Sequence, residues 1–180
     1  MKQSLPDVSV CLIYLAGMAV WGFVAGRILP YSWLDETKYP FRPLPFEKNG
    51  RIYEKIGIRK WQNKLPDMSK VFTGLMPAKK LEGDLVQKLP VMIKETCVAE
   101  VTHIFLGMAG VICPFFWKGL GVWCLTFAYV LGNLPFILVQ RYNRPRQMQL
   151  LKSIKQKRKT CVRKSYKRED KEREDTDFEL

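Results

Sequence analysis

One short segment of the chain carries two side chains that could perform acid–base chemistry. His103 is the only histidine, and Glu100 precedes it by three residues. Residues three apart share a helix face, so the carboxylate could orient the imidazole and raise its basicity. The pair could then take a proton from an alcohol that attacks an acyl thioester, a step worth roughly 10²–10⁴ in rate. We predict that both residues are catalytic; a purely structural hydrogen bond is the alternative.

A dense group of cations follows the last apolar segment, in the run QRYNRPR at 140–146. Arginine forks bind phosphate and carboxylate bidentately, which suits a phosphorylated co-substrate such as an acyl thioester of coenzyme A or of a carrier protein. Simple anchoring among lipid headgroups is the alternative. The predicted donor-binding residues are Arg59, Lys60, Arg141, Asn143, Arg144 and Arg146.

Asn133 is a polar side chain inside the same apolar segment. It could donate to a developing oxyanion, and we predict a catalytic role for it; a hydrogen bond to another helix is the alternative. A di-metal site of the Glu-x-x-His type would require a second such motif, so we predict no metal. The sequence also has no Gly-x-Ser-x-Gly elbow, Walker loop or dinucleotide fingerprint, and we predict no bound cofactor.

Three apolar runs have to position these residues. They read VSVCLIYLAGMAVWGFVA from residue 8, VTHIFLGMAGVICPFF from residue 101 and LGVWCLTFAYVLGNLPFILV from residue 120. Each approaches the roughly 20 residues that cross a bilayer as a helix. We predict an all-α membrane protein with spans at about 7–29, 99–116 and 120–139, the last two forming a hairpin. A cleaved signal peptide is the alternative for the first span, although no clear cleavage site follows it.

The segments between and after the spans are strongly basic. The loop 30–95 is rich in Pro, Lys and aromatic residues, and its part 51–64 has a rough helical amphipathicity that favours an anionic membrane surface; a helix that packs on the protein's own core is the alternative. Residues 1–150 would form one membrane domain, and the charged tail 151–180 would be disordered or helical. Only Lys118 lies in the hairpin turn, so the positive-inside rule predicts that the loop and the C-terminus are cytoplasmic and the N-terminus is outside.

The overall charge is compatible with two kinds of anionic partner. The formal net charge is +13, in a chain that is 47% hydrophobic. Nucleic acid and a lipid surface both attract such a protein, but only a membrane protein needs apolar runs of this length, so we predict membrane lipid and no nucleic acid. The five cysteines form no CxxC pair, and we expect buried small side chains rather than a disulfide framework.

Three stretches resemble one known family. FEKNGRIYEKIGIRKWQNKLPD, IKETCVAEVTHIF and NLPFILVQRYNRPRQMQLLKSIKQK are similar to the glycosyl-4,4'-diaponeurosporenoate acyltransferases of Gram-positive bacteria. The resemblance covers roughly Arg27 to Lys155, and the run at 140–146 is its most specific part. The family pattern falls on Arg59, Lys60, Trp61, Glu95, Glu100, His103, Asn133 and 140–146.

The resemblance implies an enzyme that esterifies a sugar hydroxyl of a glycosylated, carotenoid-like lipid with a fatty acyl group, as in staphyloxanthin formation. Its partners would be membrane lipid, the glycolipid acceptor, the acyl donor and other enzymes of the same pathway. Its location would be a bacterial cell membrane, in a multi-pass arrangement. The alternative is a non-enzymatic membrane protein whose basic loop and tail bind anionic lipid or an acidic partner.

Overall fold

Three long helices dominate the computed structural model, which describes residues 7–66 and 85–177. Helix α1 is Asp7–Ile28, the short helix α2 is Ile58–Trp61, α3 is Leu85–Phe116 and α4 is Leu120–Asp177. The described ranges contain no strand. Helices α1, α3 and α4 are long and apolar enough to cross a membrane, which confirms the predicted all-α class with three spans.

Helices α3 and α4 form the predicted antiparallel hairpin. Gly119 adopts a φ of +113° at the turn, a conformation that L side chains rarely adopt. Halfway along the hairpin the two helices approach closely: a Cβ on Gly110 would lie 2.9 Å from the Tyr129 ring. The Thr126 hydroxyl donates to the Gly110 carbonyl at 3.3 Å, so a small residue and a hydroxyl together join the two helices.

Helix α1 packs against the hairpin along its length. At one end, Cys11 and Leu15 are buried against α3 and α4, and the Lys118 amide donates to the Asp7 carboxylate at 3.1 Å. Towards the other end, Gly26 lies so close to α3 that a Cβ there would meet the Thr102 hydroxyl at 3.0 Å. Arg27 then closes the helix with an ion pair to Glu95 at 2.6 Å.

Helices α3 and α4 extend well beyond their apolar runs. Helix α3 begins at Leu85 and includes Pro90, and α4 continues unbroken past Val139 to Asp177. The predicted spans therefore mark the apolar parts of longer helices. The described tail is helical, one of the two states expected for it, and its side chains from Lys155 to Tyr166 are exposed.

The described part of the loop folds back onto the polar end of the hairpin. It forms short 3₁₀ helices at Tyr31–Trp33, Pro45–Ile56 and Gln62–Lys64, besides α2, and the second of these is interrupted by a kink at residues 48–50. Residues 67–84 of the predicted cytoplasmic loop lie outside the described residues. Gly50 contacts α4 so closely that a Cβ would lie 3.1 Å from the Tyr142 carbonyl oxygen. The segment 51–64, for which a rough helical amphipathicity was expected, forms several short helices, and Ile58 of α2 is fully buried.

Candidate active site

The polar ends of α3 and α4 meet around one buried carboxylate. Glu100 of α3 is only 2% exposed, and each of its oxygens accepts a hydrogen bond from an arginine of α4. Arg141 donates to Oε1 at 2.6 Å, and Arg144 donates to Oε2. Residues 141 and 144 are three apart on a helix, which places both guanidinium groups on the face that α3 covers.

Arg144 is the most deeply buried cation of the described residues, at 1% exposure. Besides Glu100, it donates to the Thr96 hydroxyl at 2.8 Å and to the Phe41 carbonyl at 2.6 Å. Its guanidinium carbon also lies 5.5 Å from the centre of the Phe41 ring. One arginine of α4 thus holds α3 and the loop together.

A second buried carboxylate completes the cluster. Glu47 in the loop accepts from Arg141 Nε at 2.5 Å, from the Leu44 amide at 2.6 Å and from the Tyr53 hydroxyl. Burial alone would raise the pKa of Glu47, but the hydrogen bonds from Arg141, Tyr53 and Leu44 together lower it below its ordinary value. Burial and the bond to Glu47 in turn raise the pKa of the Tyr53 hydroxyl, which stays a donor at neutral pH.

The resulting cluster of Glu47, Glu100, Arg141 and Arg144 balances two negative charges with two positive ones. A buried charge is tolerated when it is paired and its remaining hydrogen-bonding positions are filled, and all four side chains meet this condition. We call these four residues the buried ion cluster. It fixes the loop to the hairpin.

The predicted Glu100–His103 pair is wrong. Both Glu100 oxygens are taken by arginines, and His103 has its Nδ1 atom 2.8 Å from Asn133 Oδ1 on α4. Glu100 and His103 do lie on one helix, three positions apart, but two guanidinium groups compete for a buried carboxylate far more strongly than a neutral imidazole does. Arg141 and Arg144 are consequently already occupied by carboxylates and by loop carbonyls.

A chain of hydrogen bonds fixes the state of His103. The Asn133 amide nitrogen donates to the Tyr129 carbonyl at 2.8 Å, and this carbonyl can only accept. Asn133 Oδ1 therefore faces His103, and in a neutral ring Nδ1 must carry the proton that it donates. The Nε2 atom of such a ring keeps its lone pair and is the nitrogen that can accept a proton. The imidazole also stacks on Phe136, with ring centres 4.4 Å apart.

Asn133 forms a hydrogen bond to another helix, α3, which was the stated alternative to a role at an oxyanion. Its side chain is buried, 8% exposed, between α3 and α4. The His103–Asn133 pair and the buried ion cluster occupy consecutive turns of the same hairpin, since Glu100 and His103 are three residues apart on α3.

A second set of charges lies outside the buried ion cluster. Glu54 of the loop accepts from Arg59 at 2.5 Å and from Arg146 at 3.1 Å. Arg59 also donates to the Tyr142 hydroxyl at 3.0 Å, and Arg146 lies 4.8 Å from the centre of the Tyr142 ring. Through these contacts Arg59 joins the loop to α4. Lys60 is exposed and Asn143 is partly buried.

An open cleft of about 840 Å³ adjoins this outer set, between the loop and α4. It contains the predicted Arg59 and Arg146, but neither Arg141 nor Arg144. Its lining residues are Lys48, Asn49, Arg51, Glu54, Arg59, Arg146, Gln149, Leu150 and Ser153. Sequence reasoning missed Lys48, Arg51 and the three α4 residues after Arg146, because only the fold brings these distant segments together.

Sequence reasoning also missed Glu47. The available signal was a single acid directly after the apolar, proline-rich stretch PLPF, where an unpaired carboxylate is unexpected. Within the described ranges, no three His, Cys, Asp or Glu side chains gather in a way that could hold a metal ion.

The fold and the site define a helical protein with three helices of membrane-spanning type, a polar loop fixed to one end of a hairpin, and a histidine hydrogen-bonded to an asparagine between the two helices of that hairpin. Comparison with known proteins identifies the family. The family model for glycosyl-4,4'-diaponeurosporenoate acyltransferase matches residues 30–153, so the chain belongs to this family.

Relatives of that name come from Staphylococcus aureus. The protein of strain MRSA252 is 30% identical over 160 residues, which cover 87% of this chain and 95% of the relative. The protein of strain Newman has the same identity and coverage, and that of strain USA300 is 29% identical. No solved structure gives a significant match.

Proposed function

We propose that this protein is a membrane-bound O-acyltransferase that moves a fatty acyl group from an acyl thioester to a sugar hydroxyl of a glycosylated, carotenoid-like lipid. Family membership supports acyl transfer and a glycolipid acceptor. The single structural observation that carries the proposal is the hydrogen bond between His103 and Asn133, because it orients the imidazole and leaves Nε2 as the nitrogen that can accept a proton.

The reaction then follows from one base. The sugar hydroxyl gives its proton to His103 Nε2 while its oxygen attacks the thioester carbonyl. The tetrahedral intermediate collapses with cleavage of the carbon–sulfur bond, and the imidazolium returns the proton to the leaving thiolate. The products are the ester and the free thiol, so His103 ends the cycle neutral. Asn133 positions the imidazole and accepts the hydrogen bond from its Nδ1–H group throughout.

The buried ion cluster has a different task from the one predicted from sequence. Glu100 cannot steady the imidazolium directly, since Arg141 and Arg144 hold both of its oxygens. We assign the cluster to positioning: it fixes α3, α4 and the loop one turn away from His103. Catalytic groups held on rigid elements stay close to a reactive geometry, and a displacement of about 1 Å can cost roughly 100-fold in rate.

The location of the polar end is also part of the proposal. The loop, the ion pairs of Arg27 and Lys94 and the basic part of α4 all lie at one end of the three helices. The positive-inside rule would place this end in the cytoplasm, where acyl thioesters are made. The acceptor would reach the hairpin through the bilayer. Membership of an acyltransferase family favours this enzyme over a non-enzymatic lipid-binding protein.

A reconstituted assay tests the proposal. Purified protein in lipid nanodiscs is mixed with a fatty acyl-coenzyme A and either a glycosylated carotenoid acid or a glucosyl diacylglycerol, and the lipids are analysed by mass spectrometry. We expect an ester on the carotenoid glycoside with the wild type and none with His103→Ala. Absence of an ester on both acceptors would overturn acyl transfer, and an ester on the diacylglycerol alone would overturn the acceptor class.

A further inference from the structure

The cleft between the loop and α4 has an excess of positive charge. Four cations line it, Lys48, Arg51, Arg59 and Arg146, against the single carboxylate of Glu54. Glu54 is shared between Arg59 and Arg146. Within the described part of the chain, Lys48 and Arg51 form no ion pair at all. Such a concentration of cations around an open cleft attracts an anion with more than one charge.

The loop conformation turns two cleft residues towards α4. Lys48 and Asn49 have φ values of +48° and +57°, and Gly50 follows at +88°, so three consecutive residues are left-handed. This conformation costs free energy for residues with a side chain, and the contacts of the docked loop offset that cost. The reversal places Lys48 and Asn49 on the cleft wall opposite Arg146, Gln149 and Ser153.

The cleft also lies far from the proposed base. Arg146 follows Asn133 by 13 residues on the same helix, which is about 20 Å at 1.5 Å per residue. A ligand that reaches both places must carry its charged groups at one end and its reactive group at the other. A coenzyme A thioester has this form, with its phosphates on the nucleotide and its thioester at the end of a long arm.

We propose that this cleft binds the nucleotide phosphates of a coenzyme A-type acyl donor, an inference that rests on the proposed function. The volume of about 840 Å³ suits a nucleotide with several phosphates, since small-molecule sites occupy roughly 300–1,000 Å³. Lys48, Arg51, Arg59 and Arg146 supply the charge-assisted hydrogen bonds. Neutral hydrogen bonds come from Asn49, Gln149 and Ser153, and Leu150 offers an apolar contact to the nucleobase of the donor.

Free coenzyme A, without an acyl group, tests the cleft independently of catalysis. Its Kd for the full-length protein in detergent is measured by calorimetry, for the wild type and for the double variant Lys48→Gln, Arg51→Gln. The matched control is Lys38→Gln, Arg42→Gln, which removes two exposed cations of the same loop outside the cleft. We expect the Kd to rise about tenfold or more in the cleft variant, to stay within twofold in the control, and to rise with salt.

Further probes separate the sources of phosphate. Pantetheine, which has no phosphate, should not bind, and inorganic diphosphate should compete weakly with coenzyme A. The inference is overturned if both double variants bind coenzyme A like the wild type. It is also overturned if the cleft variant loses binding to phosphatidylglycerol vesicles but keeps its binding of coenzyme A. If the cleft variant transfers acyl groups with an unchanged KM for acyl-coenzyme A, the assignment of the cleft to the donor is refuted and the proposed function stands. Coenzyme A binding without any acyl transfer would refute only the proposed function.

Discussion

Neutralising Glu100 should release the loop from the hairpin. In the variant Glu100→Gln, the buried ion cluster keeps the charges of Glu47, Arg141 and Arg144 and loses one of its two anions. The glutamine amide also points a donor at one of two guanidinium groups, which can only donate. The charge of Arg144, 1% exposed, is then left without its carboxylate.

The size of the effect follows from this burial. Removing one partner of a buried ion pair costs about 3–5 kcal/mol, because the remaining charge stays desolvated. Release of the loop returns Arg144 to water, so this cost opposes docking. At about 1.4 kcal/mol for each factor of ten, the population of undocked molecules should rise roughly 100-fold or more.

A native thiol reports undocking. Cys97 is fully buried and packs with Leu34 and Phe41 of the loop, whereas Cys161 on the tail is exposed. Alkylation of each cysteine by iodoacetamide in detergent is followed by peptide mass spectrometry, with Cys161 as the internal standard. The rate at Cys97 follows the open population when opening and closing are fast. We expect at least a 100-fold increase in Glu100→Gln.

Two further variants sharpen the test. Glu54→Gln removes a carboxylate that also accepts from two arginines but whose side chain is 35% exposed, and we expect little change at Cys97 because ion pairs open to solvent contribute little. The double variant Glu100→Gln, Arg144→Met removes the stranded charge and should slow the alkylation of Cys97 again. Wild-type alkylation of Cys97 in Glu100→Gln would refute the reasoning.

Three other predictions concern the loop and the tail. Gly50→Ala should weaken loop docking more than Gly57→Ala in the same alkylation assay: both positions have a positive φ, worth about 1–2 kcal/mol to an L residue, but only at Gly50 would the Cβ meet the Tyr142 carbonyl. Because hydrogen bonds lower the pKa of Glu47 below 4.5, its contribution to docking is present above that pH and is lost as the pH falls through the folded-state pKa. Tryptophan fluorescence should therefore show a transition below about pH 4.5 that Glu47→Gln lacks; a transition on the alkaline side instead would contradict it. Truncation after Lys159 should leave the thermal midpoint and the acyl-transfer rate near those of the full chain, and a large loss of folded protein would show that the tail packs.

The helices and their pairing were predictable because they depend on composition over long segments. The apolar runs have bilayer length, a single break at 117–119 separates the last two, and a hairpin then brings the end carrying Glu100 beside the arginines at 140–146. The confirmed fold class and the proximity of these two segments follow from the lengths of the apolar runs and the position of the break alone.

The partners within the site were not predictable in the same way. The spacing of Glu100 and His103 is a local signal, but Arg144 is 44 residues from Glu100 and Glu47 is 94 residues from Arg141. Which carboxylate a guanidinium finds depends on how the loop folds back, and that depends on the left-handed turn near Gly50. The cleft is likewise a product of this turn and of the extension of α4 beyond its apolar run.

The central claim is that His103 acts as the base for acyl transfer, and the rate constant of the variant His103→Gln tests it most directly. Glutamine keeps much of the size and can still hydrogen-bond Asn133, but it cannot take up a proton at neutral pH. With saturating acyl donor and acceptor, we predict a loss of about 100-fold or more in kcat, while Cys97 alkylation stays at the wild-type rate. Retention of most of the wild-type kcat would contradict the account and would leave His103 a structural residue.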